Sequence, residues 1–194
     1  MIPAQQALAR LREGNRRFVE TGIGPAGGPS AAQQPFAIVL GCSDARVPAE
    51  LVLGQGFGDL FVIRVAGNIV APSQIGSVEF AAERFGTQLA VVLGHTQCGA
   101  VEATLNELRQ PQTQQSPNLR AIVNRIRPAV EPLLATPDGR DAGLLYAKAI
   151  RANVRASVDQ LRHGSALLER RIASEELLIV GAEYCVETGI VEFL

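Results

Sequence analysis

Four short, strongly apolar runs, at 36–40, 60–65 (interrupted only by Arg64), 89–93 and 177–180, limit the fold of this 194-residue chain more than any other feature. Strands that are apolar throughout, rather than at alternate positions, belong to a sheet covered on both faces, as in parallel α/β proteins. Helical patterns at 73–85, 100–108 and 141–162 lie between the runs. The sequence therefore predicts an α/β fold. It has a central, mostly parallel four-stranded sheet, an added C-terminal strand at 190–193, and helices on both faces.

The first 34 residues are expected to stand apart from this sheet. Residues 3–20 show an amphipathic helical pattern, and six glycines and prolines between 22 and 29 prevent regular structure. A helix on so flexible a connector needs an apolar surface to cover, and we expect that surface to belong to a neighbouring subunit. Without an internal repeat, the chain is predicted to be a single domain over 1–194, with 1–34 as the helical arm and linker.

The bulk properties of the chain exclude several classes of function. A formal net charge of −1 argues against binding to nucleic acid or to a membrane surface. No apolar run approaches the roughly 18 residues that span a bilayer. Residues 1–6 lack the features of a signal peptide, so a cytoplasmic location is expected. Three cysteines in such a chain do not form a disulfide framework, so each could bind metal, react or pack.

Reactive side chains follow the ends of two of the apolar runs. Cys42 follows the first run, and His95 and Cys98 follow the run at 89–93. Because the carboxyl ends of neighbouring parallel strands share one edge of a sheet, two thiols and one imidazole can converge there. Zinc prefers these ligands, and a catalytic zinc keeps a fourth position open. The pattern predicts one zinc ion per chain, although each residue taken alone is equally compatible with simple packing.

Two charged residues stand beside Cys42. Asp44 can orient a zinc-bound hydroxide or ligate the zinc itself, and Arg46 can hold that carboxylate by a bidentate pair. The residue types alone do not separate a catalytic from a structural zinc. Outside this pattern, Cys185 is predicted to pack, and His163 is predicted to cap the C-terminus of a helix.

Residues 42–48 and 94–99, CSDARVP and GHTQCG, together resemble the zinc signature of the β-class carbonic anhydrases. The resemblance covers nearly the whole chain. It implies reversible hydration of carbon dioxide to bicarbonate and a proton by zinc-bound hydroxide. It also implies a homodimer or a dimer of dimers, with the N-terminal helix on the neighbouring subunit.

Residue by residue, the resemblance makes Cys42, His95 and Cys98 the zinc ligands and Asp44 with Arg46 the catalytic dyad. It further implies an apolar substrate pocket lined by Gln33, Phe61, Ala66 and Gly99. By the same resemblance, the glutamine of this pocket comes from the partner subunit.

Some members of the family have a closed form, in which the aspartate replaces water on zinc and bicarbonate occupies a regulatory pocket of tryptophan, arginine and tyrosine. Arg64 and Tyr184 match the last two, but Val39 stands at the tryptophan position. With Gln33 present, the open and constitutively active form is favoured. Two alternatives stay open: a hydrolase of carbon disulfide or carbonyl sulfide, and a non-catalytic zinc or bicarbonate-binding module closed by Asp44.

Overall fold

The computed structural model describes residues 32–110 and 116–194, so the predicted helix at 3–20 lies outside the described residues. A five-stranded sheet with the strand order β2-β1-β3-β4-β5 forms the centre. The first four strands are parallel, and β5 pairs antiparallel with β4. This confirms the predicted fold. The strands are β1 (Ala37–Gly41), β2 (Leu60–Arg64), β3 (Leu89–His95), β4 (Leu178–Tyr184) and β5 (Val191–Phe193).

Helices connect and cover the strands, and none of those described is long and apolar enough to cross a membrane. Two of them begin with a capping side chain: Asp141 accepts from the Leu144 amide and Ser165 from the Leu168 amide. A short 3₁₀ turn, Ala66–Asn68, joins β2 to the next helix. The helices are α1 (Ala49–Val52), α2 (Pro72–Arg84), α3 (Gly99–Arg109), α4 (Pro117–Val130), α5 (Ala142–His163) and α6 (Ala166–Ala173).

Strand β1 shows why its apolar run is continuous. Ile38 and Leu40 pack into a cluster with residues of α2, α5 and α6. Ala37 and Val39 point the other way, into a cluster that includes Ala49 of α1. Every residue of β1 is buried, and each large apolar side chain buried in this way stabilises the fold by roughly 1.5–3 kcal/mol.

Strands β3 and β4 extend further than the apolar runs indicated. The predicted strands ended at 93 and 180, but the pairing of β3 with β4 continues to His95 opposite Tyr184. Polar and glycine residues interrupt the apolar run there, whereas the hydrogen-bond ladder depends on the backbone and continues through them. As a result, His95 is the last residue of a central strand, held by sheet hydrogen bonds rather than by a loop.

Gly94, next to His95, lies where β3 touches α5. A Cβ at this position would meet Val154 Cγ2 at 2.4 Å. We therefore expect Gly94→Ala to lower the free energy of unfolding by about 1–3 kcal/mol, as overpacking of a core does. Urea unfolding of purified protein measures this change.

Gly76→Ala is the matched control, since Gly76 lies inside α2 and a Cβ there would meet nothing within 4 Å. The same substitution should raise the free energy of unfolding by roughly 0.5–1 kcal/mol, because alanine favours the helix. A Gly94→Ala protein as stable as the wild type would contradict the close contact with α5.

Candidate active site

Cys42, His95 and Cys98 meet at the carboxyl edge of the sheet. Cys42 follows β1, His95 ends β3, and Cys98 immediately precedes α3. Their potential ligand atoms all lie within 4.8 Å of one another, and all three side chains are buried. Three side chains from two strand ends thus form one compact group, which is compatible with a single tetrahedral metal ion.

The histidine of this group has one ring nitrogen in use and one without a partner. His95 Nδ1 lies 2.8 Å from the carbonyl oxygen of Thr96. Because a carbonyl only accepts, Nδ1 carries the proton and Nε2 has a free lone pair. Within the described residues, Nε2 is buried and has no hydrogen-bond partner. A buried polar atom without a partner is costly, and a zinc ion in the group would supply the missing one.

The two neighbouring thiols have pKa values shifted in opposite directions. A hydrogen bond from the Cys98 thiol is the main cause that lowers the pKa of Cys42 to about 4, against the effect of burial, and the nearby His95 ring and the Gly67 amide lower it further. The same contact and burial raise the pKa of Cys98. Cys42 is therefore the favoured thiolate of the pair, and the thiolate is the form that binds metal.

The turn between His95 and Cys98 directs both side chains to the same point. Gln97 has a φ of 58°, in the left-handed region that few non-glycine residues adopt. This reversal ends β3 and starts α3, so that Cys98 stands at the positive end of the helix dipole. From α5, the Tyr146 hydroxyl donates to the Cys98 carbonyl at 2.9 Å and holds the turn in place.

Asp44 and Arg46 form a bidentate pair beside the metal-ligand group. Asp44 Oδ1 accepts from Arg46 Nε at 3.0 Å and from the Arg46 amide at 2.9 Å, and Oδ2 accepts from Nη2 at 2.8 Å. Hydrogen bonds from this guanidinium are the main reason that the pKa of Asp44 lies well below its ordinary value. Oδ2 is also 3.9 Å from His95 Nε2. The carboxylate therefore stands next to the group while Arg46 occupies both of its oxygens.

Arg46 is in turn held by a residue that sequence reasoning missed. Its Nη1 donates to Gln97 Oε1 at 3.0 Å, and its Nη2 donates to the Gln97 carbonyl at 3.1 Å. Gln97 Nε2 then donates to Glu187 Oε1 at 2.7 Å. These partners are 51 and 90 residues apart in the chain, so local spacing could not reveal them. The left-handed turn is the local geometry that places Gln97 there.

Arg64 and Tyr184, the pair predicted for a regulatory site, end β2 and β4, two strands that β1 and β3 separate in the sheet. Arg64 ends β2, and its side chain donates to the carbonyl oxygens of Cys42 at 3.0 Å and Asp44 at 2.6 Å. Tyr184 ends β4 and packs against the apolar cluster that contains Val39. Arg64 therefore supports the loop that carries Cys42 and Asp44.

The residues predicted to line the substrate pocket lie in four different segments of the chain. Phe61 packs in a group of three aromatic rings, with centroids 6.0 Å from Phe80 and 5.9 Å from Phe85. Ala66 begins the 3₁₀ turn after β2, and Gly99 begins α3. Gln33 is exposed, and the part of the chain that the structure describes shows no hydrogen bond from it to the metal-ligand group.

Residues 37–191 match the family model described as carbonic anhydrase. The chain is also 39% identical over 194 aligned residues to a carbonic anhydrase of Mycolicibacterium smegmatis, covering 96% of this chain and 91% of that protein. This chain belongs to the β-class carbonic anhydrase family. Carbonic anhydrase 2 of Mycobacterium tuberculosis is 36% identical, with 94% of this chain and 89% of that protein covered.

Solved structures of the family share the fold. The β-carbonic anhydrase CcaA superposes with a TM-score of 0.82 at 25% identity, covering 97% of this chain and 92% of that one. The β-carbonic anhydrase CafA of Aspergillus fumigatus gives a TM-score of 0.78 at 24% identity, with 98% and 89% covered. As a carbonic anhydrase, this protein is an enzyme, and its predicted membership of the β class is confirmed.

Proposed function

We propose that this enzyme catalyses the reversible hydration of carbon dioxide to bicarbonate and a proton, with zinc held by Cys42, His95 and Cys98. The observation that carries the proposal is the buried group of three ligand atoms within 4.8 Å, one of them the unpartnered His95 Nε2. When bound, zinc lowers the pKa of a water molecule from 15.7 to about 7 and so supplies a nucleophile at neutral pH. Cys42, His95 and Cys98 would hold the ion, and three protein ligands are the number that catalytic zinc sites use.

Asp44 and Arg46 orient the nucleophile in this mechanism. An ionised carboxylate only accepts hydrogen bonds, so Asp44 takes the hydrogen bond of the attacking hydroxyl group and leaves its lone pair facing the carbon. Arg46 keeps the carboxylate ionised and in place through the contacts described above. Because both oxygens of Asp44 are engaged by Arg46, we propose that the open form is the resting state.

The substrate is small, linear and nonpolar, which suits apolar walls. We propose that Phe61, Ala66 and Gly99 line its pocket and that Gln33 enters the pocket from the partner subunit of a homodimer or a dimer of dimers. The exposure of Gln33 in the single chain supports this arrangement. The solved structures of two tetrameric β-carbonic anhydrases from Sordaria macrospora, at 24% identity, show that the fold occurs in tetramers.

Stopped-flow hydration of carbon dioxide at pH 7 and above pH 8, on protein of measured zinc content, tests the proposal. We expect activity at both values and a rise in rate around pH 7, where the nucleophile loses its proton. The lowered pKa of Asp44 keeps its carboxylate charged throughout this range, so Asp44 adds no further inflection above about pH 5. Zinc-loaded protein that is inactive at both values would refute the proposed activity. Activity only above pH 8 would indicate closure by Asp44.

A further inference from the structure

The 3₁₀ turn Ala66–Asn68 makes direct contact with the metal-ligand group. The Gly67 amide donates to Cys42 Sγ at 3.3 Å, and the contact is buried. To point this amide at the sulfur, the backbone takes an unusual course: Gly67 has a φ of 71° and Asn68 a φ of 43°. Two successive left-handed residues, one of them not glycine, are unfavourable unless the surroundings hold them.

Helices α3 and α4 stand close to Gly67. A Cβ at position 67 would meet Ile126 Cδ1 of α4 at 2.8 Å and Ala100 Cβ of α3 at 3.0 Å. This close approach and the positive φ together disfavour any residue larger than glycine at position 67. The position of Gly67 also depends on the hydrogen bond that its own carbonyl accepts.

Helix α5 supplies the donor of that hydrogen bond, a buried amide side chain. Asn153 is 2% exposed, and its Nδ2 donates to the Gly67 carbonyl at 2.8 Å. Its neighbours in the helix, Ile150 and Val154, belong to the apolar core. Burying a polar side chain in such a place destabilises the fold unless hydrogen bonds within the protein replace those it made to water. Asn153 is thus a buried polar side chain whose amide nitrogen donates to the residue that contacts Cys42.

We propose that Asn153 is a positioning residue for the metal centre: by holding the Gly67 carbonyl, it keeps the Gly67 amide on the Cys42 sulfur and strengthens Cys42 as a metal ligand. This inference rests on the proposed zinc site. An N–H donor on the sulfur favours the thiolate, the form that binds metal, over the thiol. Groups that orient metal ligands typically change metal affinity by about 10- to 100-fold.

The chain offers a matched control for Asn153, one helical turn further along α5. Ser157 is also buried, and its hydroxyl donates to the carbonyl of Asn68 at 3.0 Å. Asn153→Ala and Ser157→Ala each remove one buried hydrogen bond from the same face of the same helix. Only the first removes the support of the residue that donates to Cys42, so a general loss of stability cannot account for a difference in metal binding between the two variants.

The first measurement is zinc affinity at pH 7, by competition with a chelator, on the full chain. We expect Asn153→Ala to weaken binding by about tenfold or more, and Ser157→Ala to leave the affinity within about threefold of wild type, as for a site with no contact to the metal ligands. Equal affinities in the wild type and both variants, or equal losses in both variants, would overturn the proposal. A wild-type protein that binds no stoichiometric zinc would instead refute the proposed function.

The second measurement is the absorption spectrum after substitution with cobalt(II). Losing the N–H donor raises the energy of the sulfur electrons, so the thiolate-to-cobalt charge-transfer band should move to longer wavelength in Asn153→Ala and stay in place in Ser157→Ala. A change in fold stability alone would not shift this band. An unshifted band in Asn153→Ala would overturn the role of Asn153.

Should the alanine variant not fold, Asn153→Leu keeps nearly the size of the side chain and removes the donor group, and the same two measurements apply. Independently of any variant, NMR of the wild-type protein loaded with a spin-active cadmium isotope should show coupling between the Gly67 amide proton and the metal through the Cys42 sulfur. Absence of this coupling would show that the amide does not contact the ligand and would overturn the proposal.

Discussion

Cys42→Ser is expected to remove zinc from the protein and to lower carbon dioxide hydration by roughly a thousandfold or more. The change replaces one sulfur with an oxygen and leaves the side chain nearly the same size, so the fold should persist. A serine hydroxyl does not ionise at neutral pH, whereas Cys42 has its pKa lowered to about 4 by Cys98 and the Gly67 amide. Loss of several kcal/mol of metal assistance corresponds to a rate change of this order.

Metal analysis of purified protein and stopped-flow hydration measure this effect, and Cys185→Ser provides the control. Cys185 lies beyond the end of β4, is partly exposed and stands outside the metal-ligand group. The same chemical change at this position should leave zinc content and rate within about twofold of wild type, as for most substitutions away from a site. If Cys42→Ser retained one zinc per chain and full activity, Cys42 would not be a ligand.

Asp44→Asn has the second largest expected effect, a fall in turnover of roughly a hundredfold to a thousandfold with zinc retained. Asparagine keeps the shape of the side chain but places an amide donor where Asp44 Oδ2 accepts from Arg46 Nη2 at 2.8 Å. Two donors then face each other, the bidentate pair opens, and the nucleophile loses its acceptor. Zinc should stay because Asp44 is outside the set of three ligands.

Asp159→Asn is the comparison for this second variant, since Asp159 is an exposed carboxylate on α5 that pairs with His163 at 3.1 Å. Its rate should stay within about twofold of wild type. Turnover of Asp44→Asn equal to wild type would remove Asp44 from the mechanism. Loss of zinc together with the rate would instead assign Asp44 a place on the metal.

The sheet could be predicted from local patterns because a fully buried parallel strand must be apolar at every position. The runs at 36–40 and 89–93 therefore located β1 and β3, and the rule that sites form at the carboxyl ends of strands located Cys42 and His95. The predictions were least accurate at strand ends. His95 lies inside β3 because backbone pairing with β4 continues past the apolar residues.

The residue types around Cys42 and His95 were sufficient to predict a zinc site and a carboxylate–arginine pair, since these chemistries require particular side chains at short spacing. Their partners were decided by contacts between distant parts of the chain. Gln97 reaches Arg46 across 51 residues, and Asn153 reaches Gly67 across 86. Hydrogen bonds of this kind depend on how helices pack against the sheet, and only the folded chain brings α5 against the turn that contacts Cys42. The orientation of Asp44 has the same origin: its residue type permits it to face zinc or Arg46, and the packed loop places both of its oxygens on Arg46.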